Sequence, residues 1–159
     1  MILVETRFIA DVMLGKLATW LRLLGCDVEY LPAISDEDLV EMASRSSRVI
    51  LTRDLQLIRR RKARDNHFLV QCDSYKDQLR QVVERFSIDP LGRILTRCLR
   101  CNEPLKGIDR SAVRERVPPY VYETQTDFKT CGCCGRIYWR GTHRVEAMKQ
   151  VMRIFGIQE

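Results

Sequence analysis

The chain has 159 residues, of which 45% are hydrophobic and 30% charged, and a formal net charge of +6. This length suits one domain, or one domain with a small metal-stabilised module, and excludes two large domains. The longest stretch without Asp, Glu, Lys or Arg, 66–72, is too short to span a membrane, and residues 1–7 carry Glu5 and Arg7 where a signal peptide needs an apolar core, so we expect a soluble, cytoplasmic protein.

The first part of the chain alternates predicted strands and helices. Strands are predicted at 7–10, 26–31, 48–52 and 67–72, with 48–52 as a buried central strand. The first intervening helix ends at Gly25, and the others span 35–46, 55–64 and 74–86; Ser35 and Asp38 form a capping box. A β-α repeat of this regularity predicts an α/β fold, with a mainly parallel sheet and helices on both faces.

Four aspartates follow the predicted strands. Asp11, Asp54 and Asp73 lie at or within two residues of the end of a strand, and Asp36 begins the helix after the second strand. Because the carboxyl ends of parallel strands share one edge of a sheet, we expect these carboxylates to converge there. Carboxylates gathered without cations repel one another, which favours a Mg²⁺ or Mn²⁺ ion between them. No glycine-rich phosphate-binding loop occurs in this segment, so the cluster favours hydrolysis of a phosphodiester.

Each aspartate also has a purely structural interpretation. A carboxylate at an N-cap or in a first helical turn accepts backbone N–H bonds and stabilises a helix by ~0.5–1 kcal/mol without any further function. Asp11, Asp36 and Asp54 occupy such positions, and a cap is the stronger interpretation for Asp73, which precedes Ser74. Glu37 and Asp38 lie close enough to Asp36 to replace it as a ligand. The residues alone leave these alternatives open.

The second part of the chain differs in charge. Residues 91–159 contain thirteen Lys and Arg against seven Asp and Glu, whereas residues 1–90 contain fourteen of each. The whole excess of positive charge therefore lies after residue 90. Five of the seven cysteines lie there as well, while Cys26 and Cys72 fit buried core positions of the first part. These shifts predict a boundary near 89–92, with the α/β domain that carries the acids at 1–90 and a small module at 91–159.

Four cysteines of the second part have the spacing of a zinc site. Cys98 and Cys101 form one Cys-x₂-Cys knuckle, and Cys131 and Cys134 form another after 29 intervening residues. Cys133 is an alternative to Cys134, although the two-residue gap and the following glycine favour Cys134. A closed four-thiolate Zn²⁺ site is structural and supplies folding free energy on the order of 10 kcal/mol. Around it we predict short strands at 120–122 and 137–139 and an amphipathic helix at 143–155.

Two groups of basic residues bear on a polyanionic partner. One run follows Asp54 and comprises Arg59, Arg60, Arg61, Lys62 and Arg64, and the other lies near the first knuckle and comprises Arg93, Arg97 and Arg100. Both would attract a phosphate backbone; the alternative is a solvated helix face. In the second part, Tyr138, Trp139 and Arg140 have the chemistry to stack on bases, but such aromatic residues more often form the core of a small ribbon.

The sequence resembles the PIN-like ribonuclease domain found at the carboxyl terminus of mut-seven exonucleases and as free-standing prokaryotic proteins. The similarity covers nearly the whole chain. The segments that carry it are FIADVMLGKLATWLRLLG at 8–25, SDEDL at 35–39, LTRD at 51–54, RCLRCN at 97–102, RVPP at 116–119 and CGCCGRIYWRGTH at 131–143. The resemblance implies a PIN-like α/β domain followed by a zinc ribbon, with metal-dependent ribonuclease activity.

The resemblance also assigns roles to single residues. It implies that Asp11, Asp36 and Asp54 are catalytic and hold Mg²⁺ or Mn²⁺, with Asp73 as a further candidate ligand. The basic side chains near these acids are the predicted substrate contacts: Lys16, Arg22, Arg53, Arg59, Arg60 and Arg61.

Three functions follow as hypotheses. The first is a metal-dependent endoribonuclease, in which the acids hold the metal and the basic residues hold RNA. The second is an RNA-binding protein without catalytic activity, in which the aspartates only cap helices. The third is the toxin of a PIN-type toxin–antitoxin pair. RNA is the expected partner in the first two cases, and no membrane is expected.

Overall fold

The computed structural model describes residues 5–158, so the outermost residues of both predicted domains, 1–4 and 159, lie outside it. Within this range the chain forms seven strands and five α-helices. They are β1 (Phe8–Ala10), α1 (Gly15–Leu23), β2 (Val28–Tyr30), α2 (Asp36–Ser46), β3 (Val49–Thr52), β4 (His67–Leu69), α3 (Tyr75–Phe86), β5 (Lys106–Ile108), α4 (Pro119–Thr124), β6 (Phe128–Thr130), β7 (Ile137–Trp139) and α5 (Thr142–Phe155).

The first four strands form one parallel sheet in the order β2-β1-β3-β4. Ala10 of β1 is in register with Tyr30 on one side and with Leu51 on the other. The two interior strands are almost wholly buried, because each is covered on both faces. The predicted α/β fold and the central position of 48–52 are therefore confirmed.

Successive residues of the interior strands face opposite layers of helices. Ile9 and Ile50 pack with Leu39 and Ala43 of α2. Their neighbours in the chain belong to the other face, where the core includes Phe8, Leu51, Leu17, Leu21, Leu79 and Val82. This alternation is the two-residue period of a strand, and it places α1 and α3 on one face of the sheet and α2 on the other.

The predicted ends of two helices are confirmed. The Ser35 hydroxyl accepts the backbone N–H of Asp38 at 3.1 Å and donates to the Asp38 carboxylate at 2.8 Å. Gly25 ends α1 at φ +90°, and a Cβ there would lie 2.3 Å from the carbonyl oxygen of Arg93. Glycine is therefore needed at this position both for the backbone angle and for the close approach of the second segment.

The predicted basic helix at 55–64 is wrong. The chain forms only a single 3₁₀ turn, Leu57–Arg59, and Arg60 then turns extended at φ −62° and ψ 136°. Helical spacing would bring the cations of this run together three and four residues apart, which destabilises a helix. The run instead folds into turns that bury Ala63 and expose Arg59 and Arg61.

The predicted strand at 120–122 is also wrong, because these residues lie in α4. Pro118 is extended, at φ −57° and ψ 145°, and Pro119 occupies the first helical turn. The fixed φ of proline and its missing N–H suit that position. Tyr120, Val121 and Tyr122 resembled a strand because three residues are too few to distinguish a strand from a helix. One buried residue between two exposed or half-exposed ones occurs in both. The strand predicted at 137–139 is confirmed as β7.

The second segment forms an antiparallel sheet in the order β5-β6-β7 over a small apolar core of Val113, Val117, Val121 and Phe128. Its last helix packs on the first segment: Val151 and Ile154 join the core formed by α1 and α3, and Arg80 Nε donates to the carbonyl of Ile154 at 2.6 Å. The two segments thus share a core, and the boundary near 89–92 stays a prediction. No helix in residues 5–158 is long and apolar enough to cross a membrane.

Gly15 at the start of α1 packs against a tyrosine. A Cβ at this position would lie 2.7 Å from the hydroxyl oxygen of Tyr30, which is held by a 2.9 Å hydrogen bond to the carbonyl of Val12. We expect Gly15→Ala to lose about 1 kcal/mol of stability, because ~1–3 kcal/mol of overpacking outweighs the ~1 kcal/mol gained in helix propensity. Urea denaturation measures this difference.

Gly107→Ala is the matched control for that substitution. A Cβ at Gly107, on an exposed position of β5, meets no atom within 4 Å. This variant should be as stable as the parent. A Gly15→Ala protein that is no less stable than Gly107→Ala would contradict the packing argument.

Candidate functional site

The four cysteines predicted to bind zinc lie together. The sulfur atoms of Cys98, Cys101, Cys131 and Cys134 are all within 4.8 Å of one another. Cys133 does not belong to this group, which favours Cys134 over Cys133 as the fourth ligand. Four thiolates at this spacing can hold a tetrahedral metal ion such as Zn²⁺, with no position left open for a substrate.

Hydrogen bonds orient the first knuckle. The sulfur of Cys98 accepts the hydroxyl of Tyr138 at 3.2 Å and the backbone N–H of Cys101 at 3.4 Å. Burial by itself would raise the pKa of the Cys98 thiol, but hydrogen bonds from Tyr138, from the backbone N–H groups of Cys101 and Arg100, and from Cys131 outweigh it and lower the pKa to about 6. The thiolate form that metals bind is therefore favoured at this position.

The first knuckle docks on the edge of the parallel sheet. The side-chain oxygen of Asn102 accepts the N–H of Val28 at 2.9 Å, in the edge strand β2. From the other side, Arg22 donates to the carbonyls of Leu99 and Arg100, each at 3.1 Å. The metal-binding segment therefore completes the hydrogen bonding of β2, next to the strand that leads to the acids.

Arg22 has a structural role, whereas the resemblance implied that it contacts the substrate. Its side chain is buried at 5% exposure, and its Nε donates to the carbonyl of Val28 at 2.9 Å. Burial lowers its pKa. Three of the five guanidinium N–H donors are bonded to carbonyls inside the fold, and the side chain is held in a buried position, so we leave Arg22 out of the substrate site.

Two of the predicted acids are linked through a threonine at the carboxyl edge of the sheet. Asp11 follows β1, is 4% exposed, and accepts the hydroxyl of Thr52 at 2.9 Å. The same hydroxyl oxygen accepts the backbone N–H of Asp54 at 3.0 Å. Because β1 and β3 are neighbours, both aspartates lie at the same edge of the sheet, with Thr52 bonded to the carboxylate of Asp11 and to the backbone N–H of Asp54. Asp11 also accepts the N–H of Val12 at 2.6 Å, and Asp54 that of Gln56 at 2.7 Å, so each acts as a cap as well.

The other two acids are close to arginines. The Asp36 carboxylate, in the first turn of α2, lies 3.9 Å from the guanidinium of Arg60. Asp73 has a 94% exposed side chain and forms an ion pair with Arg53. This pairing favours a surface salt bridge for Asp73 over a role as a fourth metal ligand. It also gives the charge of Arg53, a predicted substrate contact, a partner within the protein.

The acids do not form a ready-made cluster of three or four ligands. Across residues 5–158, the four cysteines are the one group of three or more Cys, His, Asp or Glu ligand atoms close enough to share an ion. The expected convergence of four uncompensated carboxylates is therefore wrong in this form. The arrangement observed is a pair, Asp11 and Asp54, with Asp36 and Asp73 each beside a cation.

The family model of the Mut7-C RNAse domain matches residues 6–152, which is nearly the whole chain. The chain belongs to the Mut7-C RNAse domain family. This result confirms the resemblance to the carboxyl-terminal domain of mut-seven exonucleases and makes the protein a member of a ribonuclease-like family. No curated protein and no solved structure matches it.

Exposed cations follow Asp11 and Asp54 along the chain of this Mut7-C domain. Arg59 and Arg61 are exposed, and in the part of the chain that the structure describes neither forms an ion pair; Arg60 lies near Asp36. Lys16, in the first turn of α1, holds its ammonium 4.1 Å from the centre of the Tyr75 ring. These side chains are available to phosphates approaching the carboxyl edge of the sheet.

Apolar side chains lie at the same edge. Val12 and Met13 follow β1, Leu31 follows β2 and Leu55 follows Asp54; they are 36%, 69%, 39% and 56% exposed. Exposed apolar residues at the same edge as polar groups can contribute to a surface that contacts a ligand. This edge therefore combines carboxylates, cations and apolar surface.

Sequence reasoning missed Thr52, which links the two acids. Its side chain is fully buried, and its hydroxyl both donates to Asp11 and accepts from Asp54. The available signal was a hydroxyl residue that ends an otherwise apolar central strand directly before Arg53 and Asp54. A buried hydroxyl requires partners, and a carboxylate at the end of the adjacent strand is the nearest acceptor.

Proposed function

We propose that the protein is a metal-dependent endoribonuclease whose active site is the carboxyl edge of the parallel sheet. The observation that carries the proposal is the pair Asp11 and Asp54, joined through Thr52 at the ends of adjacent strands in a member of a ribonuclease-like family. RNA is the proposed substrate.

The donor atoms of this pair fit Mg²⁺ or Mn²⁺. Carboxylate oxygens are the ligands that these hard ions prefer, and Mg²⁺ commonly uses one or two carboxylates and completes its shell with waters and substrate phosphate. Asp11 and Asp54 would hold the ion, and Asp36, in the first turn of α2, is the third candidate acid. When bound, the ion would activate water and neutralise charge on the phosphate.

The chain's own residues position the reacting groups. Thr52 fixes the Asp11 carboxylate through its hydroxyl, and the interior strands hold both acids rigidly at the edge. Arg59, Arg61 and Lys16 would bind phosphates on either side of the scissile bond, while Met13 and Leu55 would contact the bases.

We propose that the four-cysteine cluster binds Zn²⁺ and has a structural role. Its four sulfur atoms leave no open position, and the segment that carries them completes the edge strand β2. The zinc ion would thus maintain the sheet whose neighbouring strand carries Asp11.

Cleavage of a closed circular single-stranded RNA tests the proposal, because a molecule without ends is opened only by an endonuclease. We expect the zinc-loaded full chain to linearise it when Mg²⁺ or Mn²⁺ is added. Asp54→Asn should lower the rate by on the order of 100-fold, since the substitution removes the charge that binds the ion.

Asp65→Asn serves as the control. Asp65 is an exposed aspartate in the turn before β4, so this substitution makes the same chemical change away from Asp11 and Asp54. It should cleave at the rate of the parent. Parent protein that leaves circular RNA intact with either ion, or Asp54→Asn protein that cleaves as fast as Asp65→Asn, would overturn the proposal.

A further inference from the structure

A cavity of about 350 Å³ lies between β7, the start of α5 and the end of α1. Apolar side chains line one part of it, namely Leu23, Leu95, Leu99 and Ala147. The lining also includes three aromatic side chains, Tyr120, Tyr138 and Trp139. Cavities of about 300–1,000 Å³ hold small organic ligands, so this one has room for a planar group.

The fold does not account for the exposure of one of these rings. Tyr120, on α4, is 68% exposed and belongs to none of the apolar clusters formed by residues 5–158. Trp139 is half-buried against the small core of the second segment, and Tyr138 directs its hydroxyl to the sulfur of Cys98. One exposed aromatic side chain and two anchored ones thus border a single space, where a flat group could stack on them.

The charge around the cavity favours an anionic ligand. Within residues 5–158, its lining includes Arg144 and His143 but no carboxylate. Arg144 also borders a smaller neighbouring cavity, together with Lys129 and Arg140. The one acid there, Asp127, lies 3.4 Å from Arg140 and so leaves Arg144 and Lys129 uncompensated. Residues 91–159 as a whole carry a net charge of +6, or +4 once four thiolates and a Zn²⁺ ion are counted.

We propose that this cavity binds an unpaired base of single-stranded RNA, with the base between the aromatic rings and the adjacent phosphate on Arg144. An apolar peptide would fit the leucines but not the uncompensated cations. A nucleotide combines a flat apolar group with a negative charge, and aromatic stacking contributes about 1–3 kcal/mol per base.

The site is separate from the proposed active site. Asp11 lies just before α1, whereas Leu23 at the cavity is the last residue of that nine-residue helix. With a rise of 1.5 Å per residue, the two ends of α1 are ~13 Å apart. The cavity would therefore hold a nucleotide outside the point of cleavage. The inference rests on the proposed function in one respect, since the ligand is taken to be the same RNA.

The test measures binding without cleavage, in the Asp54→Asn background, so that its outcome does not depend on catalysis. Zinc-loaded protein is titrated with a fluorescent single-stranded oligouridylate and with an abasic oligomer that has the same number of phosphates. Tyr120→Ala should weaken binding of the oligouridylate about tenfold and leave the abasic oligomer unchanged. Tyr120→Phe, which keeps the ring, should bind as the parent does.

A pair of arginine variants tests the phosphate contact. Arg144→Gln should weaken both oligomers and reduce the dependence of affinity on salt. Arg153→Gln makes the same charge change near the other end of α5, outside the cavity, and should have a smaller effect.

Three results would overturn the inference. The first is parent protein that binds neither oligomer. The second is Tyr120→Ala protein that binds the oligouridylate as tightly as the parent, or that loses equal affinity for both oligomers. The third is an equal effect of Arg144→Gln and Arg153→Gln. If the circular RNA is not cleaved but the Tyr120 variants bind the oligomers as expected, the proposed function is contradicted and the binding site is supported.

Discussion

Replacing Cys98 by serine is expected to abolish stoichiometric zinc binding and to unfold the second segment. Cys98 is wholly buried and belongs to the four-sulfur group, and Tyr138 and the N–H of Cys101 donate to its sulfur. A structural Zn²⁺ site supplies on the order of 10 kcal/mol, which is as much as the whole stability of a typical domain. Zinc content per chain and thermal denaturation followed by circular dichroism measure the two effects.

The effect should extend into the parallel sheet. With the first knuckle unfolded, Val28 loses the acceptor that Asn102 provides, and the buried guanidinium of Arg22 loses two of its three carbonyl partners. Unpaired polar groups at these positions each cost about 1–3 kcal/mol. We therefore expect faster hydrogen exchange at the amide of Val28 as well as in the ribbon strands.

Cys133→Ser is the matched control, since it makes the same change in the second knuckle at an exposed sulfur outside the group. It should retain one zinc ion and the melting temperature of the parent. Loss of zinc from Cys133→Ser, or one tightly bound zinc ion in Cys98→Ser, would contradict the assignment of the four ligands.

Local signals were sufficient for most of the first sheet. The cap at Ser35, the left-handed Gly25 and the apolar run of β3 each depend on residues a few positions apart, so the sequence shows them directly. The two errors in element type have local causes too. At Pro119 and Tyr120 the same residues fit both a strand and the start of a helix, and the chain forms the helix. At 59–64 the chain forms turns because a helix would bring the cations close enough to repel one another.

Contacts between distant residues were beyond the sequence. Arg22 binds carbonyls 77 and 78 residues further along the chain, so its position in the motif suggested a substrate contact where the fold makes it a buried donor. The pairing of Asp36 with Arg60 depends in the same way on a turn that sequence reasoning had assigned to a helix. Parallel topology correctly predicted that the acids share an edge, but not how near one another they lie.

A further long-range cluster centres on Asp27, which no sequence signal indicated. Its side chain is 15% exposed and accepts Arg48 at 2.6 Å and Asn102 at 2.7 Å, while Arg97 lies 3.9 Å away. Arg48 is 8% exposed and also donates to the carbonyl of Phe8 in β1. One carboxylate thus connects the start of β2, the segment before β3 and the first zinc knuckle.

Asp27→Asn is expected to lower the free energy of unfolding by about 3 kcal/mol, because it removes the carboxylate shared by the largely buried guanidinium groups of Arg48 and Arg97, while Glu29 stays 3.7 Å from Arg48. Burial by itself would raise the pKa of Asp27, but the hydrogen bonds from Arg48 and Asn102 and the charges of Arg48 and Arg97 outweigh it and lower the pKa below its usual range. The carboxylate therefore stabilises the fold at pH values above about 4, and this contribution is lost as the pH falls through the lowered pKa.

Urea denaturation at a series of pH values from 7 downwards measures both effects. The difference between parent and Asp27→Asn should be largest near neutral pH and should shrink below pH ~4. Glu41→Gln is the matched control, because Glu41 also accepts two cations, Arg45 and Lys62, and also has a lowered pKa, but lies at the surface. Solvent screens such pairs, so this variant should differ little from the parent at any pH. Equal losses in the two variants would show that burial of the Asp27 cluster does not set its contribution.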